Sequence, residues 1–334
     1  MPGTVTRQRC PGDDVDPPHA ENDVGNAGQD ARDRHAMTEQ EKGRPDGRKQ
    51  DSRSAQMHDS GLLREVLGGK WSEAMLAGLA GGIGFMYFVF EYKGHTPTMT
   101  IVARHHPAPF IPTALMHANI AHDVTSTTSA RKAEQQLRSA DGPVICLLGK
   151  EKHPVGVLGV DDDTVTVHNH GTHTQPLAEF MTSWGRGKHE MISIGERTGE
   201  PDVAAAVRMT CEHLTGPVLG NNFDVNFGFS GMRKLAKELR DKGKKGWSQR
   251  WADDPGFVRQ RLHDCLEVEY TGPGATRPLY AEFLNEVGLP GADDLMKSGA
   301  LWSKIAQGGD YDELADLVDE ARSIEERAVR QLMN

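Results

Sequence analysis

The chain has 334 residues, 37% of them hydrophobic, which is enough for one large domain or two modest ones. Its formal net charge of -10 argues against broad, charge-driven binding to nucleic acid or to an anionic membrane, and suits a cationic small substrate better than an acidic partner. The four cysteines (Cys10, Cys146, Cys211, Cys265) lie far apart with no C-x-x-C pair, so a zinc ribbon, a dithiol redox motif and a disulfide framework are not expected.

Residues 1–54 are rich in Pro, Gly, Asp, Arg, Gln and Asn and carry almost no large apolar side chains. Such a segment cannot offset the entropy of ordering, so a disordered tail is expected. Its first residues lack an apolar core segment, which makes a cytoplasmic location the expectation. "SGLLREVLG" then reads as a short helix ended by Gly68-Gly69, and "WSEAMLAGLAG" as a second helix capped by Ser72. "GFMYFVFEY" reads as a buried aromatic strand. The uncharged run Ala74–Phe90 contains four glycines and falls short of a membrane span; two core elements broken at Gly81-Gly82 are expected instead. Residues 95–113, rich in Pro and His, read as a loop-dominated stretch. "SARKAEQQLRS" is a polar helix. "GPVICLLG", "HPVGVLGVD" and "TVTVHNH" are strands, the last two joined by an acidic "DDD" turn. "PLAEFMTSWG" closes as a helix and "HEMISIGE" as a strand. Beyond about residue 200 the three-to-four spacing of apolar residues predicts helices almost throughout. Helices, then an antiparallel sheet, then a helical region is an α+β order, not an alternating βαβ one.

The chemistry is sought among 15 histidines. In "KHPVGVLGVDDDTVTVHNHG", His153 begins one strand and Asn169 follows the next, and a hairpin of this length can make them neighbours. A His–Asn pair beside a helix N-terminus is the geometry of papain-like thiol chemistry. The nucleophile is then expected at the start of the first helix, where the sequence reads "HDSG" and offers Asp59 between His58 and Ser60. Asp59 reads either as a helix N-cap or as an acid/base group paired with His153. Ser60 lacks the G-x-S-x-G elbow of a serine nucleophile. His168, His170 and His173 raise a metal reading if the strand continues through them, because alternate residues share a face. The glycine-rich "GLAGGIGF" lacks the G-K-[ST] ending of a phosphate loop, so close packing is expected there, with Phe85 and Tyr87 as core or pocket wall. "RDKGKKG" is a basic loop able to dock an acidic carrier protein, and "DELADLVDEARSIEER" an amphipathic acidic helix suited to packing or a dimer contact.

The stretches "HDSGLLREVLGGKWSEAMLAGLAGGIGFMYF", "HPVGVLGVDDDTVTVHNHG…PLAEF", "GMRKLAKEL", "TGPGATRPLYAEFLNE" and "SGALWSKIA" together resemble the butirosin-biosynthesis protein H-like family, over roughly residues 56–330. The resemblance implies a papain-like domain with an antiparallel sheet (55–197) followed by a helical domain (198–334). It also implies an enzyme of secondary metabolism that moves an acyl group from a carrier-protein thioester to an amine. By position, His153 becomes the general base and Asn169 its orienter, while the family's cysteine is replaced by Asp59. The expectation is therefore an acyltransferase or cyclase using an Asp59/His153 acid–base pair, with His58, Ser60, Phe85 and Tyr87 lining the substrate site. No cofactor or metal is called for. The expected partner is a small molecule presented on an acyl carrier protein, with a homodimer compatible and neither nucleic acid nor membrane involved. Direct transfer, in which His153 deprotonates the amine and the thioester is attacked without a covalent intermediate, a non-catalytic binding homologue and a metal-dependent enzyme using His168, His170 and His173 are the rival readings.

Overall fold

A computed structural model describes residues 57–104 and 107–334. The tail at 1–54, Cys10 and the His105-His106 pair lie outside the described residues.

The first described helix, α1 (His58–Val66), ends where Gly68 and Gly69 adopt positive φ, as their residue type permits. Helix α2 (Glu73–Leu79) is capped by Ser72, whose hydroxyl accepts from the Met75 amide at 2.9 Å. Gly81 and Gly82, both at positive φ, then turn the chain into β1 (Ile83–Phe90). The uncharged run is thus a helix and a strand, and among the described residues no helix is long and apolar enough to cross a membrane.

The stretch 95–113 is not a loop. It holds β2 (Thr98–Arg104), antiparallel to β1, and the start of α3 (Phe110–His117). Buried Met99, Ile101 and Ala103 alternate with less buried residues over most of β2, a period-two pattern that the flanking prolines and histidines mask.

Next come β3 (Ile120–Thr125), α4 (Ala130–Arg138), β4 (Val144–Leu148), β5 (His153–Val160), β6 (Thr164–His168), β7 (Thr172–Pro176), α5 (Leu177–Arg186) and β8 (Glu190–Arg197). The strands build an antiparallel sheet in the order β3-β8-β4-β5-β6-β7. Alternation sorts its side chains between two cores. Val144, Cys146, Val155, Val157 and Met191 pack with Phe180 and Trp184 of α5, whereas Ile145 and Ile192 join the core that contains α1. Gly156 lies between Val155 and Val157, and a Cβ there would sit 2.6 Å from a Val66 methyl. Its missing side chain lets α1 rest directly on β5, which brings the start of α1 to the start of the hairpin.

The rest is helical: α6 (Val203–Thr215), α7 (Gly228–Arg240), α8 (Trp247–Arg250), α9 (Pro255–His263), α10 (Arg277–Glu286), α11 (Ala292–Ala306) and α12 (Tyr311–Leu332). A 3₁₀ turn (Asn222–Asn226) precedes α7, and a π turn (Asp264–Val268) extends α9. The fold is therefore α+β, with antiparallel sheets in the N-terminal half and helices after it. The boundary expected at 197 does not separate two cores. One hydrophobic cluster runs from Met57 to Val329, and the described residues belong to a single compact unit. At its centre lies a fully buried ion pair. Arg277 binds both oxygens of Glu325 at 2.8 and 3.0 Å, and donates to the carbonyls of Gly84, Ala103 and Ala275. Ser298 and Trp302 donate to the same carboxylate. The amphipathic α12, expected as a packing or dimer element, buries its apolar face in this core.

Candidate functional site

The N-terminus of α1 is where the site forms. The N-cap is Met57, in extended conformation with no side-chain cap, so Asp59 is the second helical residue and not the cap. Its carboxylate is turned sideways. One oxygen pairs with Arg104, the last residue of β2, and the other lies 3.1 Å from His58 Nδ1. Burial alone would raise the Asp59 pKa, but the Arg104 guanidinium and the His58 hydrogen bond outweigh it and hold the carboxyl well below the usual range. Asp59 stays ionised and is taken up by Arg104 and His58, so it is not available as the acid partner that an Asp59/His153 pair requires.

His153 and Asn169 do meet. His153 Nε2 lies 3.2 Å from Asn169 Oδ1, and His58 Nε2 lies 3.3 Å from the same oxygen. The ladder ends at Gly156 opposite His168, so Asn169 reaches back from the turn and is not a direct cross-strand partner. The His58 and His153 ring centres are 4.6 Å apart. His170, at φ 53 in the turn, brings its ring within 4.7 Å of His58. Burial, with the fields of His58, His153 and His168 added, lowers the His170 pKa and favours its neutral form.

The proton logic follows from donor and acceptor types. An ionised carboxylate only accepts, so the proton on His58 facing Asp59 sits on Nδ1. The other nitrogen, Nε2, faces the Asn169 oxygen at 3.3 Å. His153 gives Nε2 to that same oxygen. The Asn169 oxygen thus faces both imidazoles and orients them, while the Asp59 carboxylate fixes the His58 ring from its other nitrogen.

The other expected site residues fall elsewhere. Ser60 is fully buried, its hydroxyl 3.2 Å from the Met57 carbonyl and 3.1 Å from a Glu73 oxygen, with its one proton shared between these two acceptors, so it holds the start of the helix in place. Phe85 is buried and stacked on Trp302. Tyr87 is buried too; its hydroxyl donates to Glu238 and accepts from Trp247. Both are core residues because β1 is covered by the C-terminal helices. His168, His170 and His173 do not converge, because the strand turns at 169–171. His168 is paired with Thr172, so the next residue, His173, takes the opposite face. Among the described residues no group of three or more His, Cys, Asp or Glu side chains is arranged to hold a metal ion. In the basic loop, Lys242 is paired with Asp312.

Three site residues escape the sequence reading: Arg104, with Phe110 and Tyr270 whose rings lie 5.2 and 5.4 Å from its guanidinium. The alternation of "TMTIVAR" signals the strand that carries Arg104.

Asp59→Asn should cost about 1–3 kcal/mol at pH 7, since it leaves Arg104 half-buried without its counter-charge. A carboxyl with a lowered folded-state pKa contributes stability above the ordinary carboxylate range and loses it as pH falls below that range. The gap between wild type and Asp59→Asn in urea melts should therefore narrow from pH 7 towards pH 3; a gap that widens would refute the ion-pair assignment.

No protein-family model matches the chain, and no curated protein matches it.

Proposed function

We propose that the protein is a biosynthetic enzyme with a papain-like arrangement, which transfers an acyl group from a thioester to an amine, or closes a ring by the same step within one molecule. His153 takes the proton of the amine as its nitrogen attacks the thioester carbonyl. The C–N bond forms, the C–S bond breaks, and the proton passes to the leaving thiolate. Asn169 orients His153, and Asp59 with Arg104 orients His58 beside it. The observation that carries this reading is the 3.2 Å contact of His153 with Asn169 at the start of α1, on the hairpin and helix that the sequence resemblance singles out.

A non-covalent route is favoured because a carboxylate stands where a thiol would act. Cys146, Cys211 and Cys265 are also buried, and burial pushes all three thiols up, Cys211 and Cys265 to about 11. The saturated Asp59–Arg104 pair also suits a non-catalytic protein that binds the acyl intermediate.

An S-acyl-N-acetylcysteamine thioester with a primary amine tests the choice. The amide should form, while intact-protein mass spectrometry without amine should find no acyl adduct. An adduct mapped to one side chain would overturn the non-covalent route, and binding without any amide product would favour the non-catalytic protein.

A further inference from the structure

Between the π turn and α10, the segment Glu269–Thr276 is tied at almost every residue. Glu269 accepts both of its hydrogen bonds from Arg261 at 2.9 Å, and its amide donates to the Asp264 carbonyl. Thr271 is buried and bonded to Thr276, whose hydroxyl also accepts from the Gly272 amide. Gly274 donates to Glu267. Tyr270 stands between two of these anchors and is forced to φ 54, a left-handed conformation that a bulky side chain adopts only under strain.

The ring obtains little burial in exchange. Tyr270 is 55% exposed, beside Val268 at 59%. The ring's described partner is the Arg104 guanidinium, which also lies over the Phe110 ring and is paired to Asp59. A strained, exposed aromatic residue, one guanidinium away from the histidine site, follows two residues after a π turn, an element that recurs at functional sites. Glycine would adopt the same backbone without strain.

We propose that Tyr270 is the residue through which the helical half contacts the substrate, its outer ring face stacking on a planar, unsaturated or aromatic acyl group brought to His153. The proposal rests on the acyl-thioester reading above and adds the acyl class to it. Offset stacking supplies the selectivity, and Arg104 holds the ring through its cation–π contact.

The probes are S-benzoyl- and S-acetyl-N-acetylcysteamine, titrated calorimetrically into the full chain without amine. The benzoyl probe should bind more tightly than the acetyl probe. Tyr270→Ala and Tyr270→Gly should weaken benzoyl binding about tenfold and leave acetyl binding unchanged, with Tyr270→Phe close to wild type. Tyr270→Gly should melt at the wild-type temperature or above it, since it relieves the left-handed strain. Equal benzoyl binding in wild type and Tyr270→Ala would overturn the stacking role and leave the acyl-transfer reading standing. A parallel loss of both probes together with a lowered melting temperature would make Tyr270 structural only. If neither probe binds wild type, the acyl-thioester reading falls and the Tyr270 proposal falls with it.

Discussion

Glu325→Gln should lower the melting temperature by on the order of 10 °C, from a loss of about 3–5 kcal/mol. The carboxylate is fully buried and every group around it donates: Arg277 twice, Ser298 at 2.6 Å and the Trp302 indole at 2.8 Å. An amide in its place turns one oxygen into an NH₂ that faces a donor, and leaves a guanidinium in the core without a counter-charge. Against a total stability of about 5–15 kcal/mol, that is a large share. Removing both charges tests the mechanism. Arg277→Met with Glu325→Leu should cost less than the sum of the two single changes, because neither charge is left alone. The double variant should still fall short of wild type, since the Gly84, Ala103 and Ala275 carbonyls lose their donors. Thermal melts of the four proteins give the coupling directly. Additive losses would mean that the pair acts as two independent packing groups. Ala103 immediately precedes Arg104, so loosening Arg277 should also blur the placement of the guanidinium that holds Asp59.

The hairpin was readable because apolar alternation in "HPVGVLGV" and "TVTVH", with an acidic turn between them, specifies two strands and their order by local rules alone. The same rules place α1 by the Gly68-Gly69 pair that ends it, α2 by its Ser72 cap, and the later helices by their apolar spacing. What they could not supply was the partner of each side chain. Asp59 carries the right chemistry for a cap, yet its carboxylate follows the charge of Arg104, which lies 45 residues away along the chain. Arg104 itself was hidden in a stretch whose prolines and histidines suggest a loop. Phe85 and Tyr87 look the same in sequence whether they line a pocket or fill a core; only the helices packed over β1 decide. The histidines of "HNHGTH" share a face only if the strand runs on, and Gly171 with the left-handed His170 ends it. Tyr270 was invisible for a related reason. Its conformation is imposed by the tethers on Glu269 and Thr271, not by any preference of its own.

His153→Ala should reduce amide formation by roughly 10²–10⁴-fold, the usual contribution of a positioned general base. The ring is exposed, so its loss should leave the melting temperature nearly unchanged and separate chemistry from folding. Asn169→Ala should give a smaller loss, because it removes the orienting oxygen at 3.2 Å but keeps both imidazoles. His58 provides the finer test. It shares the Asn169 oxygen with His153 and carries Asp59 on its other nitrogen, so His58→Ala removes the ring that links Asp59 to the site without removing the base. If the proton moves only through His153, His58→Ala should resemble Asn169→Ala. If the leaving thiolate is protonated by way of His58, the His58→Ala/His153→Ala double variant should be no slower than His153→Ala alone, since residues that act as one unit are strongly non-additive. Full activity in both His153→Ala and His58→Ala would remove the site from this part of the protein. Thioester binding with no amide product, in wild type as in the variants, would point to a protein that holds its acyl ligand without transforming it, with the Asp59–Arg104 pair serving to fix the start of α1.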